Sequence, residues 1–335
     1  MTHSKLVESM MKPEFYPHAP GTVELIQTHI SFIFIAGDLV YKVKKAVDFG
    51  FLDFTTLEKR RFYVSEELRL NKRFSPDVYR DILPISEVDR SLILGDTSNI
   101  VEYALKMKRI NEDQMLYKLL EAGNVTEDDM KRVGKHLAGI YRGIPADEKS
   151  RSFGKLDVIS TNVVENFDQT RKYIDGPVTD KVFNAIELWS NAFMKNNKTL
   201  FEKRIEQDCI KDCHGDLHLQ HICIEDSNIF IFDCIEFNER FRFGDVASDV
   251  AFLSMDFDYN GESELGNIFV NSYIKASGDT TLPGVLLFYK VYRACVRAKV
   301  TSFMLDDQGI DESTRENALK NAKKYYDLAY EYIKD

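Results

Sequence analysis

The sequence predicts an α+β protein of two lobes, in which a small antiparallel sheet with one helix precedes a larger, mainly helical lobe. Three observations predict this class. Short β-rich segments separated by turns occupy residues 23–109. Helical periodicity dominates the chain after that point, with one strand-like island at residues 222–232. The composition changes at residues 109–115, so we place an N-terminal lobe at residues 1–109 and a C-terminal lobe at residues 110–335.

The composition is that of an ordinary globular protein. The chain has 335 residues, of which 44% are hydrophobic and 29% are charged. Its net charge of −10 disfavours attraction to nucleic acid or anionic lipid, so neither is an expected partner. No apolar run approaches the roughly 20 residues of a membrane helix. The N-terminal segment lacks the features of a signal peptide, so we expect a cytoplasmic protein. The odd number of cysteines then indicates reduced thiols, and nothing in the sequence indicates an oligomeric state.

Alternation and turn residues predict the sheet of the first lobe. Gly37-Asp38 forms a tight hairpin turn between the second and third strands. The single helix, residues 56–74, begins at the capping pattern Thr55-Thr56-Leu57-Glu58 and ends before Pro76. Strands are predicted over residues 23–27, 29–35, 39–44, 81–85, 91–94 and 99–108.

Apolar residues at helical spacing predict the second lobe. Met130, Val133, Leu137 and Ile140 share one helix face, for example, and Gly143 follows as a stop signal. Helices are predicted over residues 126–141, 179–193, 245–253, 264–276, 283–305 and 311–334. The strand-like island divides into residues 222–224 and 228–232.

The densest cluster of reactive side chains is the segment 213–221, which reads Cys-His-Gly-Asp-Leu-His-Leu-Gln-His. Asp216 lies within it, and Asp233 follows the second strand of the island. An acid in a loop, a hairpin and a second acid are how phosphotransferases place a base beside a metal ligand. The island is long enough for two short strands and a turn, so we expect the two carboxylates to return to one edge of the sheet.

The first lobe supplies a cation and a carboxylate of the kind that such a site needs. Alternation along the third strand places Lys42 and Lys44 on one face, where a lysine can neutralise phosphate charge. In the helix, Glu67 shares an otherwise apolar face with Tyr63 and Leu70. A carboxylate in such a stripe needs a partner, and a strand lysine is the natural one. The alternative is a solvated lysine and a glutamate on the helix surface.

The ordered motifs resemble the aminoglycoside phosphotransferase-like branch of the protein-kinase-like fold, in its uncharacterised bacterial members. The residues that carry the resemblance are His214-Gly215-Asp216-Leu217-His218, Phe232-Asp233 and Gly244-Asp245-Val246-Ala247-Ser248-Asp249, and it extends over residues 21–304. It implies a bilobal kinase-like protein that transfers the γ-phosphoryl group of ATP to a hydroxyl of a small molecule, such as a sugar or an amino sugar.

The resemblance implies roles for individual residues. Asp216 is the catalytic base toward the acceptor hydroxyl, and Asp233 binds the Mg²⁺ or Mn²⁺ that bridges the nucleotide phosphates. Asp245 buttresses the catalytic loop. Lys42 is preferred to Lys44 as the phosphate lysine, because the apolar-x-Lys order matches the strand lysine of the family.

ATP is then expected between an N-terminal nucleotide-binding lobe and a C-terminal catalytic and substrate-binding lobe. The turn after the first strand is not rich in glycine, so backbone N–H groups and the Thr28 or Ser31 hydroxyls are left to hold phosphate. The backbones of Glu102 and Ala104 are expected to meet adenine. Asp48-Phe49-Gly50 spells the metal-binding tripeptide of protein kinases, but it lies just after the lysine strand and we interpret it as coincidence.

One position departs from the family. The residue five positions after Asp216 is normally an asparagine whose amide oxygen holds metal, and here it is His221. Imidazole suits softer ions better than Mg²⁺. Three explanations stay open. His221 binds a softer ion, or it only hydrogen-bonds while Asp233 and the nucleotide hold the metal, or the protein is a nucleotide-binding pseudokinase or regulatory module without turnover.

The acceptor is less defined than the nucleotide. Gly244 follows Asp233 too closely for an activation loop, which favours a small molecule over a protein. Several acids after Asp233 would form an acidic wall for a cationic amino sugar, or else are surface charges of an acidic protein. Arg240 and Arg242 would instead meet an anionic group. The acids are Glu236, Glu239, Asp256, Asp258 and Glu262.

A zinc-binding protein is the rival from another class. Gly215 and the β-prone run after it argue against the helix that would align two of the histidines, and no CxxC pair is present. The zinc ligands would come from Cys209, Cys213, His214, His218, His221 and Cys223.

Overall fold

The computed structural model describes residues 3–50 and 52–334, and the chain divides into two compact units. The first unit is Met1–Ala122 with Gln220–Glu239, and the second is Gly123–Leu219 with Arg240–Asp335. The segment Gln220–Glu239 therefore lies in the same unit as the N-terminal sheet. The lobe boundary that the sequence predicts after residue 109 stays a prediction.

Ten strands and thirteen helices are assigned within the described residues. The strands are β1 (Val23–Gln27), β2 (Ser31–Ala36), β3 (Leu39–Lys44), β4 (Tyr79–Val88), β5 (Ser91–Leu94), β6 (Ile100–Lys108), β7 (Ile210–Asp212), β8 (Ile222–Glu225), β9 (Asn228–Ile231) and β10 (Phe243–Asp245). The helices are α1 (His3–Met10), α2 (Leu57–Asn71), α3 (Leu116–Glu121), α4 (Glu127–Gly143), α5 (Glu148–Ser152), α6 (Leu156–Thr170), α7 (Asp180–Asn196), α8 (Lys198–Glu206), α9 (Glu239–Arg242), α10 (Val246–Tyr259), α11 (Ser263–Ser277), α12 (Leu282–Phe303) and α13 (Glu312–Glu331).

The first unit is built on a six-stranded antiparallel sheet in the order β1-β2-β3-β6-β4-β5. The turn between β2 and β3 contains Gly37 at φ +63°, a left-handed conformation that glycine adopts without a steric penalty. The register then pairs Phe34 with Tyr41 and Ser31 with Lys44. Each predicted strand of this sheet is present, with ends that differ by a few residues, so the predicted α+β class is confirmed.

Both faces of this sheet are buried. On one face, Phe34 and Tyr41 pack in a cluster with Leu6 and Met10 of α1. On the other, Leu105 packs with residues of α2 and of the hairpin formed by β8 and β9. Since side chains alternate along a strand, Tyr41 and the two lysines of β3 lie on opposite faces, and the lysines share the α2 face.

Helix α2 presents a carboxylate to the sheet. The Thr56 hydroxyl caps its N-terminus by accepting a hydrogen bond from the Lys59 N–H. Its inner face buries Val64, Glu67 and Leu70, which confirms the predicted helix and its stripe. The helix is shorter than predicted, because the backbone turns at Asn71, whose carbonyl accepts from Phe74 N–H.

The second unit is mainly helical, as predicted. Helix α10 is buried over every residue from Val246 to Phe257, and α12 packs beside it. Strands β7 and β10 pair within this unit; β7 leads into the segment that contains Asp216, and β10 leads into α10. Helices α6 and α8 were not predicted, and neither has a side-chain hydrogen bond at its N-cap, so the usual start signal is missing.

Within the described ranges, none of the helices combines the length and the apolar character that a membrane-spanning segment requires.

The contact between α4 and α11 allows a matched test of this packing. A Cβ added at Gly134 would lie 2.7 Å from the Phe269 carbonyl oxygen and 2.9 Å from the Tyr273 nitrogen, so the backbone of α11 would have to shift. We expect Gly134→Ala to lower the free energy of unfolding by about 1–3 kcal/mol. Gly139 lies on the same helix with nothing within 4 Å of its added Cβ, and Gly139→Ala should raise stability by about 0.5–1 kcal/mol. Urea denaturation measures both, and equal effects would contradict the packing described.

Candidate active site

Two lysines of β3 share one buried carboxylate of α2. Lys42 Nζ lies 2.8 Å from Glu67 Oε1, and Lys44 Nζ lies 2.7 Å from Glu67 Oε2. The Glu67 side chain is 1% exposed, the Lys44 side chain 2% and the Lys42 side chain 14%. The partnership between Glu67 and a strand lysine is therefore present, and both candidate lysines take part in it. The more exposed of the two, Lys42, is the better placed to meet a ligand.

A second carboxylate completes this buried group. Lys44 also forms an ion pair with Glu236, which is 8% exposed and belongs to the segment after Asp233. Burial raises the pKa of Glu67, but the charges of Lys42 and Lys44 outweigh it, and the net pKa is lowered. For Glu236, burial outweighs the lysines and the pKa is raised. The sequence did not indicate Glu236 as a partner, because nothing in its spacing relates it to β3.

Lys42 contacts Asp233 as well as Glu67. Its ammonium donates to Asp233 Oδ1 at 2.8 Å. Burial lowers the pKa of Lys42, but Asp233 and Glu67 raise it more, so it lies well above the usual value and the side chain stays cationic. The Asp233 side chain is 46% exposed. One lysine thus joins a buried carboxylate to an accessible one.

The backbone at Asp233 is held in place by the elements around it. Its φ is +62°, in the left-handed region that a non-glycine residue seldom adopts, and its N–H donates to Tyr79 Oη at 3.0 Å. Ser75 Oγ donates to the Ile231 carbonyl at 2.7 Å, just before this point. Asn71 Oδ1 accepts from Cys234 N–H at 2.9 Å, just after it. The sequence analysis did not identify these three supporting residues, because their partners lie far away along the chain.

His221 lies beside Asp233 in the same unit. Its Nε2 is 3.7 Å from Asp233 Oδ2, and its side chain is 15% exposed. The Asp233 carboxylate is the hard oxygen ligand that Mg²⁺ prefers, whereas imidazole suits a softer ion. The residues present fit a divalent ion at Asp233, and the part that His221 plays there stays a prediction.

The residues predicted to hold phosphate lie in the turn between β1 and β2. Thr28 Oγ1 accepts from the N–H groups of Ser31 at 2.9 Å and of Ile30 at 3.3 Å, so it stabilises the turn itself. Ser31 is fully buried opposite Lys44, and among the described residues its hydroxyl has no hydrogen-bond partner. The phosphate role of Thr28 and Ser31 stays a prediction.

The location of Glu102 and Ala104 argues against their predicted contact with adenine. Both lie inside β6, where Glu102 pairs with Ile85 and Ala104 with Leu83 of β4. Pro84 lies between these two partners in β4. Its carbonyl accepts a hydrogen bond from the Gly95 N–H, just after β5, and so points away from β6. Antiparallel alternation therefore directs the backbone groups of Glu102 and Ala104 to β4, which disfavours a hydrogen bond from either backbone to adenine.

In the second unit, Asp249 fixes the loop that carries Asp216. Asp249 Oδ2 accepts from His214 N–H at 2.8 Å, and its Oδ1 accepts from Gly215 N–H at 3.1 Å. Tyr141 Oη donates to the same carboxylate. Gly215 has φ +87°, which explains the glycine at this position. Both oxygens of the buried Asp249 carboxylate therefore accept hydrogen bonds from the loop.

Asp245, which the resemblance assigned as the buttress, has another role. It forms a buried ion pair with Arg204, at 2.5 Å and 2.8 Å, and its Oδ1 caps α10 by accepting from Ala247 N–H. The structure therefore corrects the assignment of the loop buttress from Asp245 to Asp249. The two acids stand in one motif, and only their tertiary partners distinguish them.

The Asp216 side chain is 35% exposed and can meet a solute. Its N–H donates to His214 Nδ1 at 3.3 Å, and its Oδ2 lies 3.3 Å from His218 Nε2. His214 is fully buried, which agrees with a structural role in the loop rather than a role as a base. Asp216 is thus an accessible carboxylate on a loop that buried hydrogen bonds hold rigid.

The predicted acidic wall is not present as such. Glu236 belongs to the lysine group of the first unit, Asp256 accepts from Leu219 N–H at 3.0 Å, and Asp258 pairs with Lys290 at 2.7 Å. Of the five acids, only Glu239 and Glu262 are exposed. Three of the five acids predicted to meet a cationic acceptor therefore bind a partner within their own unit.

The two arginines considered for an anionic group also have partners. Arg240 contacts Glu165 at 2.8 Å, and Arg242 forms an ion pair with Asp212. Neither is therefore a good candidate for that role.

The thiols do not favour zinc. All five cysteines are buried thiols. Burial raises the pKa of Cys209 and of Cys223 to about 12, so both are protonated at neutral pH, whereas zinc binds thiolate. In the part of the chain that the structure describes, no cysteine belongs to a group of side chains arranged to hold one metal ion.

No family model matches the sequence. Uncharacterized proteins of Mycobacterium bovis and Mycobacterium tuberculosis are 31% identical to it over 278 residues, which cover 83% of this chain and 54% of each relative. The chain thus spans about half the length of the curated relatives that it matches.

Solved structures share the fold. A choline kinase from Cryptosporidium parvum aligns with a TM-score of 0.56 and 10% identity, over 98% of this chain and 96% of that one. The GDP complex of aminoglycoside 2'-phosphotransferase-IIIa gives 0.54 and 11%, over 97% and 99%. A choline/ethanolamine kinase family protein from Mesorhizobium loti gives 0.52 and 11%, over 98% and 99%. The chain therefore has the protein-kinase-like fold of the aminoglycoside phosphotransferases, and the predicted resemblance is confirmed at the level of fold.

The buried lysine group makes a prediction about stability. Lys44→Met leaves Glu236 buried without its lysine, so we expect a loss of about 3–5 kcal/mol in the free energy of unfolding, and most of it should return in Lys44→Met/Glu236→Met. Lys45→Met is the matched control, because Lys45, among the described residues, contacts the exposed Gln27, the Thr28 carbonyl and the Phe32 ring, and has no carboxylate within 4.0 Å. Denaturation of the four proteins tests this, and equal losses in Lys44→Met and Lys45→Met would contradict it.

The same group predicts a pH dependence. Burial lowers the pKa of Lys44, but its carboxylate partners raise it more, and the net pKa lies above the usual 10.5. A raised lysine pKa contributes stability that is complete below about pH 10.5 and is lost as the pH rises through the folded-state value. The difference in stability between wild type and Lys44→Met should therefore narrow above pH 10.5. A difference that stays constant from pH 7 to pH 11.5 would contradict this assignment.

Proposed function

We propose that the protein is an ATP-dependent phosphotransferase that moves the γ-phosphoryl group to a hydroxyl of a small molecule. The observation that carries the proposal is the contact of Lys42 with both the buried Glu67 and the accessible Asp233. In protein kinases, phosphoryl transfer uses a strand lysine held by a glutamate and an aspartate that binds the divalent ion. The names of the similar solved structures, aminoglycoside phosphotransferase and choline kinase, agree with this class of reaction. Use of ATP also agrees with the cytoplasmic location expected from the sequence.

On the nucleotide side, the proposal assigns two groups. Lys42 neutralises phosphate oxygens, and the raised pKa keeps its ammonium charged throughout the physiological range. Asp233 would hold Mg²⁺ or Mn²⁺, with His221 beside it. Such an ion, when bound, neutralises the negative charge that develops on the phosphates. Glu67 holds the lysine in place, and it does not itself meet the ligand because it is buried.

On the acceptor side, Asp216 is the base. It orients the acceptor hydroxyl and takes its proton, while the hydroxyl oxygen forms a bond to the γ-phosphorus and the bond from that phosphorus to the β,γ-bridging oxygen breaks. ADP leaves with that oxygen. The hydrogen bonds from the loop to Asp249 hold Asp216 before the acceptor arrives, so little reorganisation is needed during the reaction.

A small acceptor is favoured by the short connection after Asp233. Residues 234–242 lead directly to β10, and Cys234 and Glu236 of this stretch are tied to the first unit by Asn71 and Lys44. No length remains here for the long loop with which protein kinases bind a peptide.

His221 favours a second candidate, a nucleotide-binding module without turnover. The family's asparagine offers an oxygen, whereas His221 offers a nitrogen 3.7 Å from Asp233. His221→Asn distinguishes the two candidates. An active wild type whose rate does not rise in this variant supports the phosphotransferase, and turnover that appears only in the variant supports the module.

The test of the proposal separates binding from chemistry. Thermal unfolding with ATP and Mg²⁺ or Mn²⁺ should stabilise the wild type by about 2.7 kcal/mol at a hundred times the dissociation constant. Asp233→Ala should lose this stabilisation. Asp216→Asn should keep it and lose transfer to any acceptor by at least about 100-fold. Asp77→Ala, at an exposed position of the first unit, is the control and should behave as wild type.

Two results would overturn the assignment. If neither metal–nucleotide pair stabilises the wild type, the protein is not an ATP-dependent enzyme of this kind. If Asp216→Asn turns over at the wild-type rate, Asp216 is not the base.

A further inference from the structure

Helix α12 carries two arginines on the face that meets the loop of Asp216. Arg293 Nη1 donates to the Gly215 carbonyl at 2.8 Å, and Gly215 is the residue before Asp216. Arg297 follows Arg293 by one helical turn, so the two side chains share that face. Arg293 supports the loop from inside the second unit, and Arg297 continues the same row.

Arg297 differs from the other arginines of this region in its partners. Its Nε donates to Tyr325 Oη at 3.4 Å, and its guanidinium lies 5.6 Å from the centre of that ring. Among the described residues, no carboxylate lies within ion-pair distance, 4.0 Å, of this guanidinium. Arg204 and Arg293 each contact a carboxylate, by contrast. Among the described residues, the Nη donors of Arg297 therefore form no hydrogen bond within the protein.

The charge of Arg297 interacts electrostatically with nearby carboxylates of the second unit. Burial lowers its pKa, but Tyr325, Asp216 and Asp256 together raise it above the usual value, so the side chain is always cationic. Asp256 uses its Oδ2 on Leu219 N–H. Asp216 and Asp256 influence Arg297 without pairing with it. Arg297, one helical turn after the arginine that contacts Gly215, thus keeps its Nη donors for another group.

Two stacked tyrosines hold this cation in place. The Tyr325 ring of α13 stacks on the Tyr259 ring of α10, with centres 4.0 Å apart and planes 16° apart. Lys324 Nζ lies 3.9 Å from the Tyr259 centre, on an exposed side chain. In the part of the chain that the structure describes, Lys324 has no carboxylate within 4.0 Å. The aromatic pair therefore has a cation at each end, and neither cation is neutralised by an ion pair.

We propose that Arg297 recognises an anionic group of the acceptor, so that the substrate is a hydroxyl compound with a carboxylate or a phosphate monoester. This inference rests on the proposed function and extends it to the class of acceptor. A guanidinium binds both anions through two parallel N–H donors. Asp216 orients the acceptor hydroxyl and accepts its proton, while Arg297 binds the anionic group of the same molecule. A cationic amino sugar gains nothing at this position, because the nearest free donors carry the same charge.

Four acceptors that share a glucose frame test the charge alone. They are glucose, glucosamine, gluconate and glucose 6-phosphate, each assayed with saturating ATP and metal ion. We expect the wild type to prefer gluconate or glucose 6-phosphate over the other two by at least about tenfold in kcat/KM. The comparison of these two anions separates a carboxylate from a phosphate.

Substitution of the arginine gives the second arm. Arg297→Gln should lower kcat/KM for the preferred anion by about 10- to 100-fold, chiefly through KM, and Arg297→Lys should restore part of it. The stabilisation by ATP should not change. Arg171→Gln, which removes an exposed arginine paired with Glu187, is the control and should have no effect on any acceptor.

If the enzyme phosphorylates none of these four compounds, calorimetry with ADP present measures their binding instead. Wild type should bind gluconate or glucose 6-phosphate, and Arg297→Gln should bind it at least about tenfold more weakly. The inference is overturned if the wild type binds neither anion, if it prefers glucosamine, or if Arg297→Gln affects all four compounds alike. In each of these cases, ATP stabilisation that Asp233→Ala abolishes would leave the proposed function standing.

Discussion

The first unit depends on one buried carboxylate that two lysines share. Glu67 binds Lys42 with one oxygen and Lys44 with the other, and all three side chains are largely removed from water. A buried charge without its partner is costly, so helix α2 and strand β3 cannot separate without a large loss of free energy. Lys44 extends this constraint to Glu236, and Lys42 extends it to Asp233. The accessible carboxylate of the site is therefore positioned by a group that no ligand touches.

Much of this arrangement could be predicted from local patterns. The period-two alternation of a strand correctly placed Lys42 on the face of β3 that meets α2. Helical spacing correctly placed Glu67 within the apolar stripe of α2. Both patterns are set by backbone geometry alone. The partner of Lys44 could not be predicted in this way, since Glu236 lies far along the chain in a segment without periodicity. The same limit applies to the loop of the second unit. Asp245 and Asp249 are equivalent in the motif, and only the tertiary contact with Arg204 or with the loop distinguishes them.

Composition does not define the acceptor, for a related reason. A net charge of −10 and several acids after Asp233 suggested a surface for cations, but composition counts charges and not their partners. Asp258 is paired with Lys290, and Asp256 holds a backbone N–H. Arg297 differs from these acids, because no carboxylate lies within 4.0 Å of its guanidinium among the described residues, and its Nε donates only to Tyr325. A sequence does not show which charges of a folded protein are paired.

The central claim is that Glu67 positions the lysine and the carboxylate that bind a metal–nucleotide complex. The most direct test is calorimetric titration of Glu67→Gln with ATP and Mg²⁺, in protein whose circular dichroism shows that it is folded. Glutamine keeps the shape of the side chain and removes the charge that Lys42 and Lys44 share. We predict an affinity for the complex at least about tenfold lower than that of wild type, since the lysine is then free to pair with Asp233 alone. An unchanged affinity in the folded variant would contradict the claim.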